Sequence, residues 1–150
     1  MKQKMFIPAV LALFVSAPSL GDEYATAPQA EAMVAQVVKD IKENREATFT
    51  AITAKDAKYI QLDLYPVVYD MNGKCLSHGQ NAKQVGKDLI GIADADGKEF
   101  IKERVELANS KGTFWQDYKF TDPVTKKILP KSAYCEKTAD VIVCAGIYKR

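Results

Sequence analysis

The sequence predicts an α+β domain: a long helix at its start, packed on one face of an antiparallel sheet of about five strands. Three observations predict it. Apolar residues recur at three-and-four spacing after Pro28, the spacing changes to two from Tyr59, and three β-rich segments separated by short turns close the chain. At 150 residues, 47% hydrophobic and 27% charged, the chain has material for one core but not two, and too many apolar residues to be disordered. Lys and Arg number 21 against 19 Asp and Glu, with no basic stripe, which argues against a nucleic-acid partner.

The first residues read as a leader. Lys2 and Lys4 precede an uncharged apolar run from Met5 to Ala17, then small residues and the acidic pair Asp22-Glu23. This is the layout of a secretory signal peptide over residues 1–21, with Ser19 and Gly21 at the small-residue positions and cleavage after Gly21. Its removal takes Lys2 and Lys4 with it and leaves a formally neutral domain over 22–150. The expected location is the periplasm.

Thr26-Ala27-Pro28 reads as a helix start, since proline suits the first helical position. Ala30, Met33, Val34, Val37, Val38 and Ile41 form the apolar stripe, with Lys39, Asp40, Lys42 and Glu43 assigned to solvent. The stripe resumes after a break through Phe49 and Ile52. From Tyr59, Ile60, Leu62 and Leu64 alternate with polar or aromatic neighbours, and Val67-Val68-Tyr69 leads into Asn72-Gly73, a strong hairpin signal. A two-residue Asn72-Gly73 loop pairs Tyr69 with Leu76 and Val67 with His78, and Pro66 suggests an edge or a bulge. Asn81 to Asp96 is polar loop. Gly97 to Ser110 is helical, started by an Asp96 cap and stopped at Lys111-Gly112. Thr113 to Phe120, Ile128 to Glu136 and Val141 to Tyr148 complete the sheet, with a last turn over Lys137 to Asp140.

Few residues offer reaction chemistry. Cys75 and His78 are spaced as half a metal site but lack a second pair, and Ile92 occupies the first position of the calcium-like run Asp94, Asp96, Gly97, Glu103. The expectation is no metal, no cofactor, no catalytic residue and no enzyme. Cys75 is assigned to the core as a small residue. With the four-residue last turn, Cys144 lies diagonal to Cys135. A slight register change brings the pair within disulfide range, and two buried thiols are the alternative. Trp115, Tyr118, Lys131, Tyr134 and Tyr148 lie on neighbouring strands, with Gly146 leaving room beside them. Aromatic walls with one lysine suit a small carboxylate. Strand alternation, however, separates Trp115 from Tyr118 and Lys131 from Tyr134 unless a bulge intervenes. The last hairpin puts Lys131, Gly146 and Tyr148 on one face. The candidate ligand residues are therefore Lys131 as charge partner, Tyr118 as hydroxyl donor and His78 as a second donor, with Tyr148 beside them. His78 also reads as an ordinary hydrogen-bonded strand-end histidine. Trp115 and Tyr134 join this set only with a bulge or a pocket at the sheet edge, and they are kept as the alternatives that the family resemblance described next suggests.

Val68-Tyr69-Asp70-Met71-Asn72-Gly73 leading to His78-Gly79, and then Val85-Gly86-Lys87-Asp88, Asp94-Ala95-Asp96-Gly97-Lys98, Gly112-Thr113-Phe114-Trp115-Gln116-Asp117-Tyr118, Asp122-Pro123-Val124-Thr125, Pro130-Lys131-Ser132-Ala133-Tyr134 and Gly146-Ile147-Tyr148, follow one another in an order that resembles the single-Cache branch of extracytoplasmic sensor domains. The resemblance covers roughly residues 28 to 149. It implies a PAS-like fold whose sheet holds a small-ligand pocket on the side away from the long helix, and a small organic acid as ligand. It also implies a membrane-bound partner such as a sensor kinase, chemoreceptor or transporter. No transmembrane helix or signalling domain follows Arg150, so the expectation is a soluble module that presents its ligand to that partner. The other expectations are an envelope redox or structural interaction protein using the cysteines and, with less support, a small envelope enzyme.

Overall fold

The computed structural model describes residues 23–150. The signal peptide expected over 1–21 lies outside the described residues. Helix α1 (Ala27–Thr53) starts where Thr26 and Pro28 place it, with Gln29 Oε1 accepting the Thr26 N–H at 2.8 Å. Its stripe from Ala30 to Ile41 is buried as the spacing requires, and the stripe resumes within the same helix. Asn44 leaves helical geometry (φ −157°, ψ 94°), and its side chain accepts the Ala47 N–H at 3.2 Å, recapping the segment that carries Phe49 and Ile52. Asp40, assigned to solvent, is buried. A 3₁₀ turn at Ala57–Tyr59 folds back over α1, so that Asp40 accepts the Tyr59 hydroxyl at 2.8 Å and pairs with Lys58 at 2.8 Å.

The alternation after Tyr59 is not a strand. Gln61 and Leu64 exchange backbone hydrogen bonds across a tight turn in which Leu62 takes φ +55° and points outward, while Leu64 goes into the core. Strand β1 (Pro66–Asp70) begins only at the proline. It lies inside the sheet rather than at an edge, between β2 (Cys75–His78) and β5 (Val141–Tyr148). Proline is tolerated as the first residue of the strand. After helix α2 (Phe100–Lys111), strands β3 (Thr113–Thr121) and β4 (Ile128–Thr138) complete one antiparallel sheet of order β2-β1-β5-β4-β3.

Two hairpins depart from the expected register. Val67 faces His78 as expected, but Tyr69 faces Cys75, because a bulge inserts Leu76 and turns it toward α1. The last turn is Ala139-Asp140 alone, with Ala139 at φ +51°, so Thr138 faces Val141. This shifts the pairing by two residues and sets Cys135 opposite Cys144, with Cα atoms 4.2 Å apart in a disulfide. Asp96 does not cap α2; its carboxylate pairs with Lys119 at 2.9 Å, and Glu99 occupies the cap position.

The sheet divides the interior. On one face, Val68, Val141, Val143 and Ala145 pack on α1. On the other, Phe114, Ala133, Ile142 and the disulfide pack under Ala108 of α2, and Val67, Tyr69 and Cys75 meet Phe100, Ile101 and Leu89. The candidate site lies on this second face. Among the described residues no helix is long and apolar enough to cross a membrane.

Candidate functional site

Lys131 anchors the site. Strand alternation turns it to the α2 face, where Tyr118 is its neighbour on β3 and Tyr148 its neighbour on β5. A Cβ on Gly146 would meet Lys131 Cε at 2.7 Å, so glycine at 146 makes the space the lysine side chain occupies. Only 4% of Lys131 is exposed. Its ammonium donates to the Tyr65 hydroxyl at 3.0 Å and to the Tyr148 hydroxyl at 3.3 Å, and lies 4.5 and 4.6 Å from their ring centroids. Tyr148 passes its own proton to the Thr121 carbonyl at 2.8 Å. An ammonium has three N–H donors, and no carboxylate pairs with this one among the described residues. Burial alone would push the lysine down. Interaction with the phenolic oxygens of Tyr118 and Tyr65 reverses that and holds it above its ordinary value, so it is charged at neutral pH.

The cavity beside this ammonium is lined by Tyr65, Val67, Tyr69, His78, Phe100 and Tyr118 together with Phe120, Leu89, Ile92 and Gln84, and its volume is about 60 Å³, rising to about 430 Å³ only when the open solvent at its mouth is counted. Tyr65, His78, Gln84 and Phe120 also border an outer, more polar hollow reached by Gln80, Asn81, Thr121, Pro123 and Lys126. His78 stands at the junction. Its Nδ1 accepts the Gln80 and Asn81 N–H groups at 3.1 and 3.0 Å, which places the proton on Nε2. Burial, with the charges of Lys131 and Lys55 adding to it, pushes the imidazole down to about 4. His78 is therefore a hydrogen-bonded strand-end histidine whose neutral ring also lines the cavity.

The structure brings Lys131, Tyr118, His78 and Tyr148 together. It does not bring Trp115 or Tyr134. These face each other across β3 and β4 with ring centroids 5.4 Å apart on the opposite face, where Tyr134 packs against the α1 core and Trp115 is exposed. No bulge breaks β3 or β4 between them and the lysine, so alternation holds. The sequence reading missed Tyr65, Tyr69, Phe100, Phe120 and above all Arg104. Tyr65 and Tyr69 share the parity of Val67, which was already placed opposite His78. Arg104 falls three residues after Ile101 and four before Ala108, inside the apolar stripe of α2, and such a position is the legible sign of a buried charge.

Cys75 is buried, and burial pushes its thiol up to about 11. Among the described residues no three His, Cys, Asp or Glu side chains are gathered to hold a metal ion.

A helix on one face of a five-stranded antiparallel sheet, with a polar-walled cavity on the other, is the α+β architecture of the PAS-like class. Residues 25–149 match the family described as Single Cache domain 2, and the chain belongs to that family. Among solved structures it is similar to a methyl-accepting chemotaxis protein from Vibrio parahaemolyticus RIMD 2210633, at 22% identity and TM-score 0.68 over 81% of this chain and 86% of that one. It is also similar to a periplasmic sensor domain of a chemotaxis protein, at 22% identity and TM-score 0.65 over 82% and 90%. A third is a Cache chemosensory domain described for carboxylic acid recognition, at 21% identity and TM-score 0.69 over 83% and 93%. At such identity the likeness is one of fold. No curated protein matches the chain.

Proposed function

We propose that this Cache domain is an exported, non-catalytic sensor module that captures a small organic acid in the Lys131 cavity and presents it to a membrane-bound sensor kinase, chemoreceptor or transporter. One observation carries the reading: a charged lysine is buried with no carboxylate partner, held by tyrosine hydroxyls at the edge of a cavity. Isolated buried cations are costly, and an anionic ligand is the natural partner for this one. The remaining donors suit a carboxylate: the third ammonium proton, the Tyr118 hydroxyl and the His78 Nε2–H. The similarity to a domain described for carboxylic acid recognition supports the same class of ligand. The redox reading has less support, since Cys135 and Cys144 are buried under α2 and Cys75 is a buried, protonated thiol.

A thermal-shift screen across short carboxylic acids, followed by calorimetry on Lys131→Met, tests the reading. Charge-assisted hydrogen bonds contribute roughly 1.5–3 kcal/mol, so the variant should bind about tenfold more weakly or worse. Unchanged affinity would place the ligand elsewhere. Mass spectrometry of the exported protein tests the leader: the expected N-terminus is Asp22, and an intact Met1–Gly21 segment would overturn export by cleavage.

A further inference from the structure

We infer that the cavity is a two-cation site for a short dicarboxylate, in which Lys131 takes one carboxylate while Arg104, acting through the hydroxyls of Tyr69 and Tyr118, provides for the other. This rests on the proposed function and specifies its ligand.

Arg104 is 1% exposed and makes no ion pair among the described residues. Its Nε donates to Gln116 Oε1 at 2.9 Å, while Nη2 is the only buried side-chain nitrogen or oxygen among the described residues without a hydrogen-bond partner. The nearest acid on its helix, Glu103, is already shared between Lys98 at 2.8 Å and the Gln116 amide at 2.6 Å. The guanidinium carbon lies 5.3 Å from the Tyr69 ring centroid, 5.6 Å from Phe100 and 5.0 Å from Tyr118, three rings that line the inner end of the cavity. The cation therefore stands directly behind that wall. The Tyr69 and Tyr118 hydroxyl oxygens interact with the guanidinium, and each hydroxyl has one proton to donate in front of it.

Two buried positive charges thus share one small chamber walled by tyrosines, and the charge of Arg104 works against that of Lys131. A methionine or leucine at 104 would pack against the same three rings with no charge to desolvate. A monocarboxylate neutralises one of the two cations. A dicarboxylate of three or four carbons neutralises both: its second group accepts from Tyr69 and takes over the single Tyr118 hydroxyl proton, while the first keeps the Lys131 ammonium and the His78 Nε2–H.

Calorimetry with propionate and malonate, which have equal carbon counts, and with butyrate and succinate tests this on the intact domain at neutral pH. The expected result is binding about tenfold or more tighter for each diacid than for its monoacid, the effect of one added charge-assisted contact. Arg104→Met should erase that preference and change propionate affinity less than about threefold, while Arg104→Lys should keep part of it. If Arg104→Met fails to fold by circular dichroism, the wild-type ratio and Arg104→Lys still decide. Monoacids binding as tightly as diacids, in a manner dependent on Lys131, would overturn this inference and leave the proposed function standing. A diacid preference that survives in folded Arg104→Met would overturn the role of Arg104. No binding of any of the four acids would overturn both.

Discussion

The two faces of the sheet are built to different rules. Toward α1, Val68, Val141, Val143 and Ala145 meet Ala30, Val34, Val37 and Ile52, so this face is held by close-packed apolar side chains of ordinary kinds. Toward α2 and the loop after β2, the same sheet presents Lys131, Tyr118, Tyr148, Tyr69 and His78, with Arg104 behind them. Here buried polar groups are held by particular partners at the cost of desolvation. The first face stabilises the fold, and the second gives up some stability to hold charge where a ligand can meet it.

The sharpest way to break this contrast is on the α1 face. Ile52 is fully buried there, and Ile52→Ala should cost about 2–5 kcal/mol in urea unfolding while leaving carboxylate affinity unchanged. A loss of affinity would mean that the faces are coupled.

The next effect is acid sensitivity on the cavity face. The folded His78 ring takes up its proton only near about 4, whereas in the unfolded chain it does so near 6.5. Between those values the unfolded state binds more protons, so stability falls as pH drops through this window and is recovered as pH rises. The expected loss is roughly 3 kcal/mol, and His78→Gln should flatten the unfolding midpoint between about pH 6.5 and 4. The carboxylates Asp40, Asp94 and Asp122 are held low by their partners, so they lose their stabilising charge only below that window. A slope unchanged in His78→Gln would remove the histidine from the account.

The disulfide closes a short hairpin, and Cys135→Ala with Cys144→Ala should lower unfolding stability by roughly 2.5 kcal/mol by freeing the denatured chain. Ligand affinity should hold, because the bridge packs with Ala108, Phe114 and Ile142 rather than lining the cavity. The smallest effect has the opposite sign. Lys131→Met, which should abolish most binding, should also raise stability by about 1 kcal/mol, since an apolar chain replaces a desolvated cation. Destabilisation by that substitution would show that the lysine holds the sheet together, against the contrast drawn between the faces.

The sequence by itself determined the α1 stripe, five strands of the right kind, and which residues share a face with Lys131. The last point survived an error in register. The expected pairing of Lys131 with Gly146 became Lys131 with Tyr148, a slip of two residues, and a pleated strand repeats every two, so Tyr148 and Gly146 stayed on the lysine's face. The same parity rule separated Trp115 and Tyr134 from the cavity. What the tertiary structure alone decided depends on turn length and on contacts remote in sequence. A two-residue turn at Ala139-Asp140 set Cys135 opposite Cys144, and a bulge at Leu76 reset the β1–β2 pairing. The 3₁₀ turn over α1 buried Asp40, and packing against Tyr69, Phe100 and Tyr118 put the charge of Arg104 behind the cavity wall. Periodicity is written locally, because each residue's direction follows from its neighbours. Turn length and the partners of a buried charge are set by the free energy of the whole packed chain.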